Sequence, residues 1–383
     1  MATEYKIVSA DSHLEIPPDT WGHWVPKQYR DRAPRKIRMP DGGDGYIVEG
    51  RAPQRGGMNL FSGTPPEEFV PLGIRWEDCP GTGTAEQRIQ ELDQDGVDAE
   101  VLYPGPGSSA LVGGIQDPST YKAMITAYND YLGQEFCAVD PKRLIGMGLL
   151  PYTSVKDAIA EMEHAAKIGL KGVYLSTFPT GLPYPTAADD EFYAAALSMN
   201  MPITVHISFA GAKQGKFSYP IEPKGDDRPS TDYLSRLTLY ARAGALDAVQ
   251  MIIAGVFDRF PDLHIYWAET QVGWIPNFSE QLDNNYRVNH FWAEKVLGVL
   301  KLERWPSEYV RDNCYWGFMH NPIGVKLRHE VGVDKCLWGA DFPHIESDWP
   351  HSTRIIDEMF EGVPDDERYA MVAGNCIDFF HLD

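Results

Sequence analysis

Asp11, His13 and Glu15 stand two residues apart in the run Asp11-Ser-His-Leu-Glu15. In extended backbone, side chains at i and i+2 point the same way. Asp11 and His13 can therefore reach one ion together, and so can His13 and Glu15. Carboxylates and imidazoles are groups that divalent cations bind. More of them lie far along the chain: His206, Glu269, His320 and Asp341, with His344 three residues beyond. Any one of these is ordinarily a cap or a polar core group. What matters is where the whole set falls relative to the elements that carry it.

Eight short apolar runs read as buried strands. They are Lys6–Asp11, Val97–Tyr103, Leu144–Leu150, Gly172–Ser176, Ile203–Ile207, His264–Ala268, Cys314–Phe318 and Lys335–Gly339. Helical patterns separate them: Thr84–Asp95, Ser119–Val139, Ser154–Ile168, Asp189–Met199, Thr231–Phe260 and Ser352–Phe360. Thr84 and Gln87 have capping-box spacing. Strands alternating with helices imply parallel βαβ units. Eight strands suggest an α/β fold closed as a (β/α)₈ TIM barrel, with an open doubly wound sheet as the structural alternative.

In a parallel barrel every strand's C-terminal end opens on one face. Asp11, His13 and Glu15 follow the first strand, and His206 lies near the end of the fifth. Glu269 ends the sixth, His320 follows the seventh and Asp341 ends the eighth. Convergence of five strand ends argues for a metal site.

Two long segments break the alternation as loop insertions, about Pro17–Pro80 and about Phe209–Ser230. Ordered loops of that length are usually lids or interfaces. No linker, repeat or low-complexity tract divides the chain, so residues 1–383 read as one domain. The formal net charge is −21, from 34 Lys and Arg against 55 Asp and Glu. That excludes the clustered positive charge of a nucleic-acid binder. Five dispersed cysteines with no Cys-x-x-Cys pair read as reduced and mostly buried. The stretch MATEYKIVSADSH has no apolar signal core, and no long apolar span occurs. A cytoplasmic protein with no membrane partner is expected.

Asp11-Ser-His13-Leu-Glu15-Ile-Pro-Pro, Trp267-Ala-Glu269-Thr-Gln-Val-Gly273-Trp274-Ile-Pro276, Trp338-Gly-Ala-Asp341-Phe-Pro-His344 and Gly374-Asn375-Cys-Ile-Asp-Phe-Phe together resemble the amidohydrolase-related (amidohydrolase-2) family. The likeness spans essentially the whole chain. It implies a metal-bearing barrel among hydrolases and non-oxidative decarboxylases of aromatic or related acids. It implies His13, Glu15 (in place of a second histidine), His206 and Asp341 as metal ligands. The sixth strand offers Glu269 where many relatives have a histidine. Relatives are often oligomers, so a homo-oligomer is expected.

The resulting metal set is Asp11, His13, Glu15, His206, Glu269, His320 and Asp341. Ligation this rich in oxygen favours Mn or Fe, with Zn allowed. So many carboxylates are more reasonable around two ions than around one. Lys171 starts the fourth strand, the wrong end for a bridge, so Glu269 or Glu15 would bridge two ions. Asp341 is expected to be both ligand and proton acceptor, with Glu269 or His344 as second acid/base. His344 reads equally as a shuttle or a loop-packing residue.

Trp274, Trp316 and Trp349 read as core packing near the mouth. His264 falls on the far face, and Glu346 and Asp348 in a solvated loop. Gly105–Gly114 reads as a mouth loop, without the order of a nucleotide-binding fingerprint.

Three functions follow. The first is metal-dependent hydrolysis or decarboxylation of a small carboxylate or carbonyl substrate. Decarboxylation fits less well, because the usual sixth-strand histidine donor is missing. The second is oxygenation at a dinuclear Fe or Mn/Fe site. The third is a metal-binding subunit supporting a catalytic paralogue. Metal analysis separates them. One Mn²⁺ or Zn²⁺ with oxygen-independent turnover supports the first. Two Fe or Mn with oxygen-dependent turnover supports the second, and no retained metal the third.

Overall fold

The apolar runs form strands wherever both faces are covered, and the amphipathic stretches between them form the covering helices. The computed structural model describes residues 5–49, 52–57, 59–105, 115–209 and 241–382. Its main sheet has eight parallel strands. In chain order they are Val8–Leu14, Ala99–Pro104, Leu144–Leu149, Gly172–Leu175, Ile203–His206, Ile265–Ala268, Cys314–Phe318 and Cys336–Trp338. Each pairs with the next in sequence, as βαβ units of one hand require.

The first and eighth strands meet through a bridge between Ser12 and Phe342. Two backbone bonds flank it: Asp341 N donates to Asp11 O at 2.8 Å, and His13 N to Phe342 O at 2.7 Å. The sheet is thus a nearly closed barrel, as expected for a TIM fold. The core around the strands is mainly apolar, with Trp267, Trp316 and Trp338 fully buried. Trp316 stacks on Trp267 and meets the edge of Trp274, so these tryptophans are core packing.

The strands match the apolar runs to within a residue or two, except the first. It begins later and runs through Leu14. Asp11 and His13 therefore lie inside the strand rather than after it. The pairing shifts between Ser9 and Ser12: Ser9 faces Glu100 and Ser12 faces Leu102. The first strand carries one residue more than its partner there, as in a bulge. The bulge re-aims the strand at Asp11.

Thr84 caps the helix Ala85–Asp95 with the expected box to Gln87, and Ser154 caps Val155–Lys167. The Ser119–Val139 pattern forms a helix only over Pro118–Tyr131. It then widens into a π-turn at Leu132–Phe136 and tightens at Cys137–Val139. In the Thr231–Phe260 pattern, residues 231–240 lie outside the described residues. The rest is two helices, Gly244–Ile253 and Val256–Arg259, broken where Gly255 takes φ +65°.

The segment Pro17–Pro80 is not irregular throughout. It contains a three-stranded antiparallel sheet of Arg35–Arg38, Asp44–Ile47 and Gln54–Arg55. Those short, charged, glycine-punctuated strands lack the apolar runs that marked the barrel. Most of Phe209–Ser230 and of Gly105–Gly114 lies outside the described residues. Cys137, Cys314, Cys336 and Cys376 are buried, and all five cysteines are free. Among the described residues, no helix is long and apolar enough to cross a membrane.

The seam between first and eighth strands has no spare room. A Cβ on Gly339 would lie 2.6 Å from the Asp11 Cβ and 3.1 Å from its backbone nitrogen. Gly339→Ala should therefore cost about 1–3 kcal/mol as overpacking. Gly22→Ala, with nothing within 4 Å, should be near neutral. Thermal denaturation of the two variants checks this. Equal melting temperatures would show that the seam yields freely.

Candidate metal centre

Six side chains converge on the C-terminal mouth of the barrel. Asp11, His13 and His206 form one group whose potential ligand atoms lie within 4.8 Å of one another. His13, Asp341 and His344 form a second, and Asp11, Glu269 and Asp341 a third. The groups share members, so they are one continuous cluster. Five strand-borne or strand-end residues thus meet as expected, and His344 joins them from the eighth-strand loop.

The distances define the cluster. His13 Nε2 lies 3.2 Å from Asp341 Oδ1 and 3.8 Å from Asp11 Oδ1. His206 Nε2 lies 3.3 Å from Asp11 Oδ1 and 3.2 Å from Glu269 Oε2. His344 stacks on His13 with ring centroids 4.0 Å apart. The Tyr103 ring, 5.2 Å from that of His206, closes one wall.

Close approach here is not hydrogen bonding. Asp11 Oδ1 and Oδ2, His13 Nε2, His206 Nε2 and Asp341 Oδ1 are all buried, and none makes a hydrogen bond. Burying such groups unsatisfied costs several kcal/mol in total, at roughly 1–3 kcal/mol each. Donor atoms that face each other without sharing a proton are arranged for a cation between them. The mixed nitrogen and oxygen set suits Mn²⁺, Fe²⁺ or Zn²⁺, not a thiolate-seeking ion. The residues present therefore fit a divalent metal, which Asp11, His13, His206, Glu269 and Asp341 would hold.

The electrostatics of the bare cluster agree. Burial, then the nearby Asp341 and Asp11, raises Glu269 well above the usual carboxylate range. Burial also raises Asp11. Burial, with His344 and His206 nearby, pushes His13 well down. A dication would reverse the penalty on the carboxylates, since the ion is the largest local charge.

Backbone strain gathers at the same rim. Glu269 and Asp341 adopt φ +57° and +51°, and Ile207, next to His206, adopts +59°. Such conformations cost about 1–3 kcal/mol each and cluster at functional sites. For the β-branched Ile207 it is a genuine outlier.

Two sequence candidates are placed differently. His320 is exposed and in none of the three groups. The seventh strand ends at Phe318, and the chain turns out toward a helix that starts at Pro322. His320 is thereby carried off the barrel axis. Glu15 lies one residue beyond the first strand and reaches His344, 3.3 Å from Nε2. Gly105 lies against it, where any Cβ would overlap the Glu15 carboxylate. Glu15 thus acts on the cluster through His344.

His344 is held from both sides, with Nδ1 3.0 Å from Asp341 Oδ1. Burial alone would lower its pKa. The Asp341 and Glu15 carboxylates outweigh burial and raise it well above the usual histidine range. Burial likewise works against Asp341, but His344 and His13 hold it below the usual carboxylate range.

Sequence reasoning passed over Arg88 and Glu100. Both are fully buried and form a bidentate pair at 2.6 and 2.9 Å. Arg88 also donates to Phe342 O at 3.1 Å and lies over the Phe342 ring. It therefore braces the turn between Asp341 and His344. A glutamate inside an otherwise apolar strand was the available signal.

A family model described as Amidohydrolase matches residues 11–382. The chain is similar to the 2-amino-3-carboxymuconate-6-semialdehyde decarboxylase of Dictyostelium discoideum. They are 25% identical over 301 residues, covering 77% of this chain and 76% of that protein. In structure it is similar to an amidohydrolase from Mycobacterium avium subsp. paratuberculosis K-10. The TM-score is 0.73 at 18% identity, over 99% of this chain and 100% of the other. It is also similar to a dihydroxybenzoic acid decarboxylase from Polaromonas sp. JS666, with bound manganese and the inhibitor 2-nitroresorcinol. There the TM-score is 0.62 at 17% identity, over 99% and 98% of the two chains. At these identities the structural likenesses establish the fold.

Arg88→Met should destabilise the protein by about 3–5 kcal/mol, because Glu100 is left charged and buried. Arg88→Met with Glu100→Leu should regain most of that stability. The double variant should still bind Mn²⁺ more weakly than wild type, because Phe342 O has lost its brace. Thermal denaturation and metal titration read the two effects separately. Full recovery of metal affinity would leave Arg88 with a packing role only.

Proposed function

The chain belongs to the amidohydrolase family, and from that premise we propose that it is a metal-dependent, non-oxidative decarboxylase acting on a small aromatic or conjugated carboxylic acid. The observation that carries the reading is His344, fixed between Asp341 and Glu15 at the edge of the cluster. Decarboxylation needs one proton delivered to carbon and no attacking water. The decarboxylase names of the similar proteins support the same reading. The manganese bound in one of them makes Mn²⁺ the first ion to test.

When bound, the ion supplies Lewis-acid polarisation of the substrate carboxylate and a neighbouring oxygen. His344 stores the proton at Nε2, where it faces Glu15 Oε1, and the Asp341 carboxylate beside Nδ1 keeps the ring charged. Glu269, beside His206, is the second acid on the opposite side of the cluster. The bond from carbon to the carboxylate breaks, its electron pair stays on carbon, and carbon dioxide leaves. The stored proton forms the new C–H bond. No electron acceptor is needed.

Hydrolysis is the second reading. Glu269 occupies the sixth-strand position, and a carboxylate there suits a base that activates water. Oxygenation has no support among the similar proteins named above.

Mn²⁺-loaded protein should release carbon dioxide from a member of a panel of hydroxybenzoates and conjugated dienoic acids, equally with and without oxygen. In D₂O the product should carry deuterium at the vacated carbon. His344→Asn should lower kcat about 10²–10⁴-fold with metal content kept. Ester or amide cleavage without carbon dioxide would shift the reading to hydrolysis, and oxygen-dependent turnover would overturn it.

A further inference from the structure

The fifth strand delivers His206 to the cluster through a turn that its backbone alone would not choose. Ile207, the next residue, takes φ +59°, an outlier for a β-branched side chain. Its N–H still donates to Ala268 O at 3.0 Å, and Ser208 N folds back onto His206 O at 2.7 Å. A conformation this costly persists only where its surroundings over-determine it. Here the surroundings include the start of the helix Gly244–Ile253.

Two contacts tie that helix to the turn. Asp247, in its first turn and 1% exposed, accepts a hydrogen bond from Phe209 N at 2.7 Å. Gly244 lies against Ile207 O, where a Cβ would come within 2.4 Å. The same Cβ would lie 2.8 Å from Trp267 Cδ1 and 3.3 Å from Thr270 Cγ2. Trp267 and Thr270 flank the sixth-strand end that carries Glu269, itself at φ +57°. The helix start thus packs on the ends of the fifth and sixth strands at once. Those ends carry His206 and Glu269, whose side chains meet at 3.2 Å.

Asp247 is a costly way to hold a loop. Burial pushes its carboxyl up to about 6, and the bond from Phe209 N opposes that. An apolar side chain of similar volume would avoid the penalty of burying a charge. It would lose direction, because an acceptor fixes Phe209 N to a point and packing alone does not. The Phe209 ring is held separately, by an edge contact with Phe178 at 4.6 Å between centroids.

We propose that Asp247 is a positioning residue for the metal site. Through Phe209 N, and with Gly244 against Ile207 O, it holds the strained turn that aims His206 Nε2 at Asp11 and Glu269. It is the counterpart, on the fifth- and sixth-strand side of the rim, of the Arg88 brace beside the eighth. The inference rests on the metal reading of the cluster and not on decarboxylation.

Mn²⁺ titration and crystal structures of the full chain test it. Asp247→Leu removes the acceptor at similar volume, whereas Asp247→Asn keeps an oxygen that can accept from Phe209 N. The Leu variant should bind Mn²⁺ about tenfold more weakly, and the Asn variant within about threefold of wild type. Gly244→Ala leaves Asp247 in place and presses on Ile207 O, so it should also weaken binding about tenfold. It keeps the test decisive if Asp247→Leu does not fold. In metal-free crystals of the weakened variants, His206 Nε2 should move away from Asp11 Oδ1 and Glu269 Oε2, which it now faces at 3.3 and 3.2 Å. Wild-type affinity in both Asp247→Leu and Gly244→Ala, with only the melting temperature lowered, overturns the proposal. Equal losses in the Leu and Asn variants overturn it too, because the hydrogen bond would then not be the cause. A wild type that binds no Mn²⁺, with His206 still displaced in the variants, would sink the metal reading and leave the placement of His206 by Asp247 standing.

Discussion

The barrel is closed by the residues that also build its site. Asp341 N donates to Asp11 O, and His13 N donates to Phe342 O. These bonds join segments more than three hundred residues apart in sequence. Without them the first and eighth strands would be free edges, and the side chains of Asp11, His13 and Asp341 would have no common point. Ser9 strengthens the seam, accepting from Ala340 N at 2.8 Å. The bulge between Ser9 and Ser12 sets the register of this joint. Closure of the fold and assembly of the carboxylate–histidine cluster are therefore the same event.

Charge is the second constraint. Asp11, Glu269 and Asp341 are buried within one cluster with His13, His206 and His344, and buried Glu15 borders it against His344. Buried carboxylates repel one another and lose hydration, which a cation among them reverses. The protein divides the group accordingly. Atoms without hydrogen bonds point at the shared space, while His344 and Glu15 satisfy each other at its edge. The neighbouring Arg88–Glu100 pair is separate and fully satisfied, so it serves as a rigid brace. Left-handed backbone at Glu269, Asp341 and Ile207 gathers at the same rim and turns the first two side chains toward the cluster.

Much of this was legible in the sequence. Alternation of apolar runs and amphipathic stretches is a local signal, so eight strands and their order could be read directly. Parallel topology then maps every strand end to one rim, which located Asp11, His13, His206, Glu269 and Asp341 together. The capping box at Thr84 and Gln87 was equally local. The small sheet within Pro17–Pro80 was missed because its strands are short, charged and without apolar runs. The exposure of Val288, Phe291 and Trp292 on the helix Ile275–Leu297 was missed as well, because periodicity marks a stripe without saying whether the chain covers it.

The sequence by itself determined the barrel, its single rim and the kinds of group gathered there, since periodicity and strand direction follow from backbone geometry. Tertiary structure alone decided which of those groups face inward. Side-chain direction at a strand end depends on how the backbone leaves the sheet. Glu269 and Asp341 turn inward through left-handed conformations, whereas His320 leaves with the chain toward the next helix. It also settled that Glu15 engages His344 and that Arg88 braces Phe342, contacts between segments that no local pattern relates.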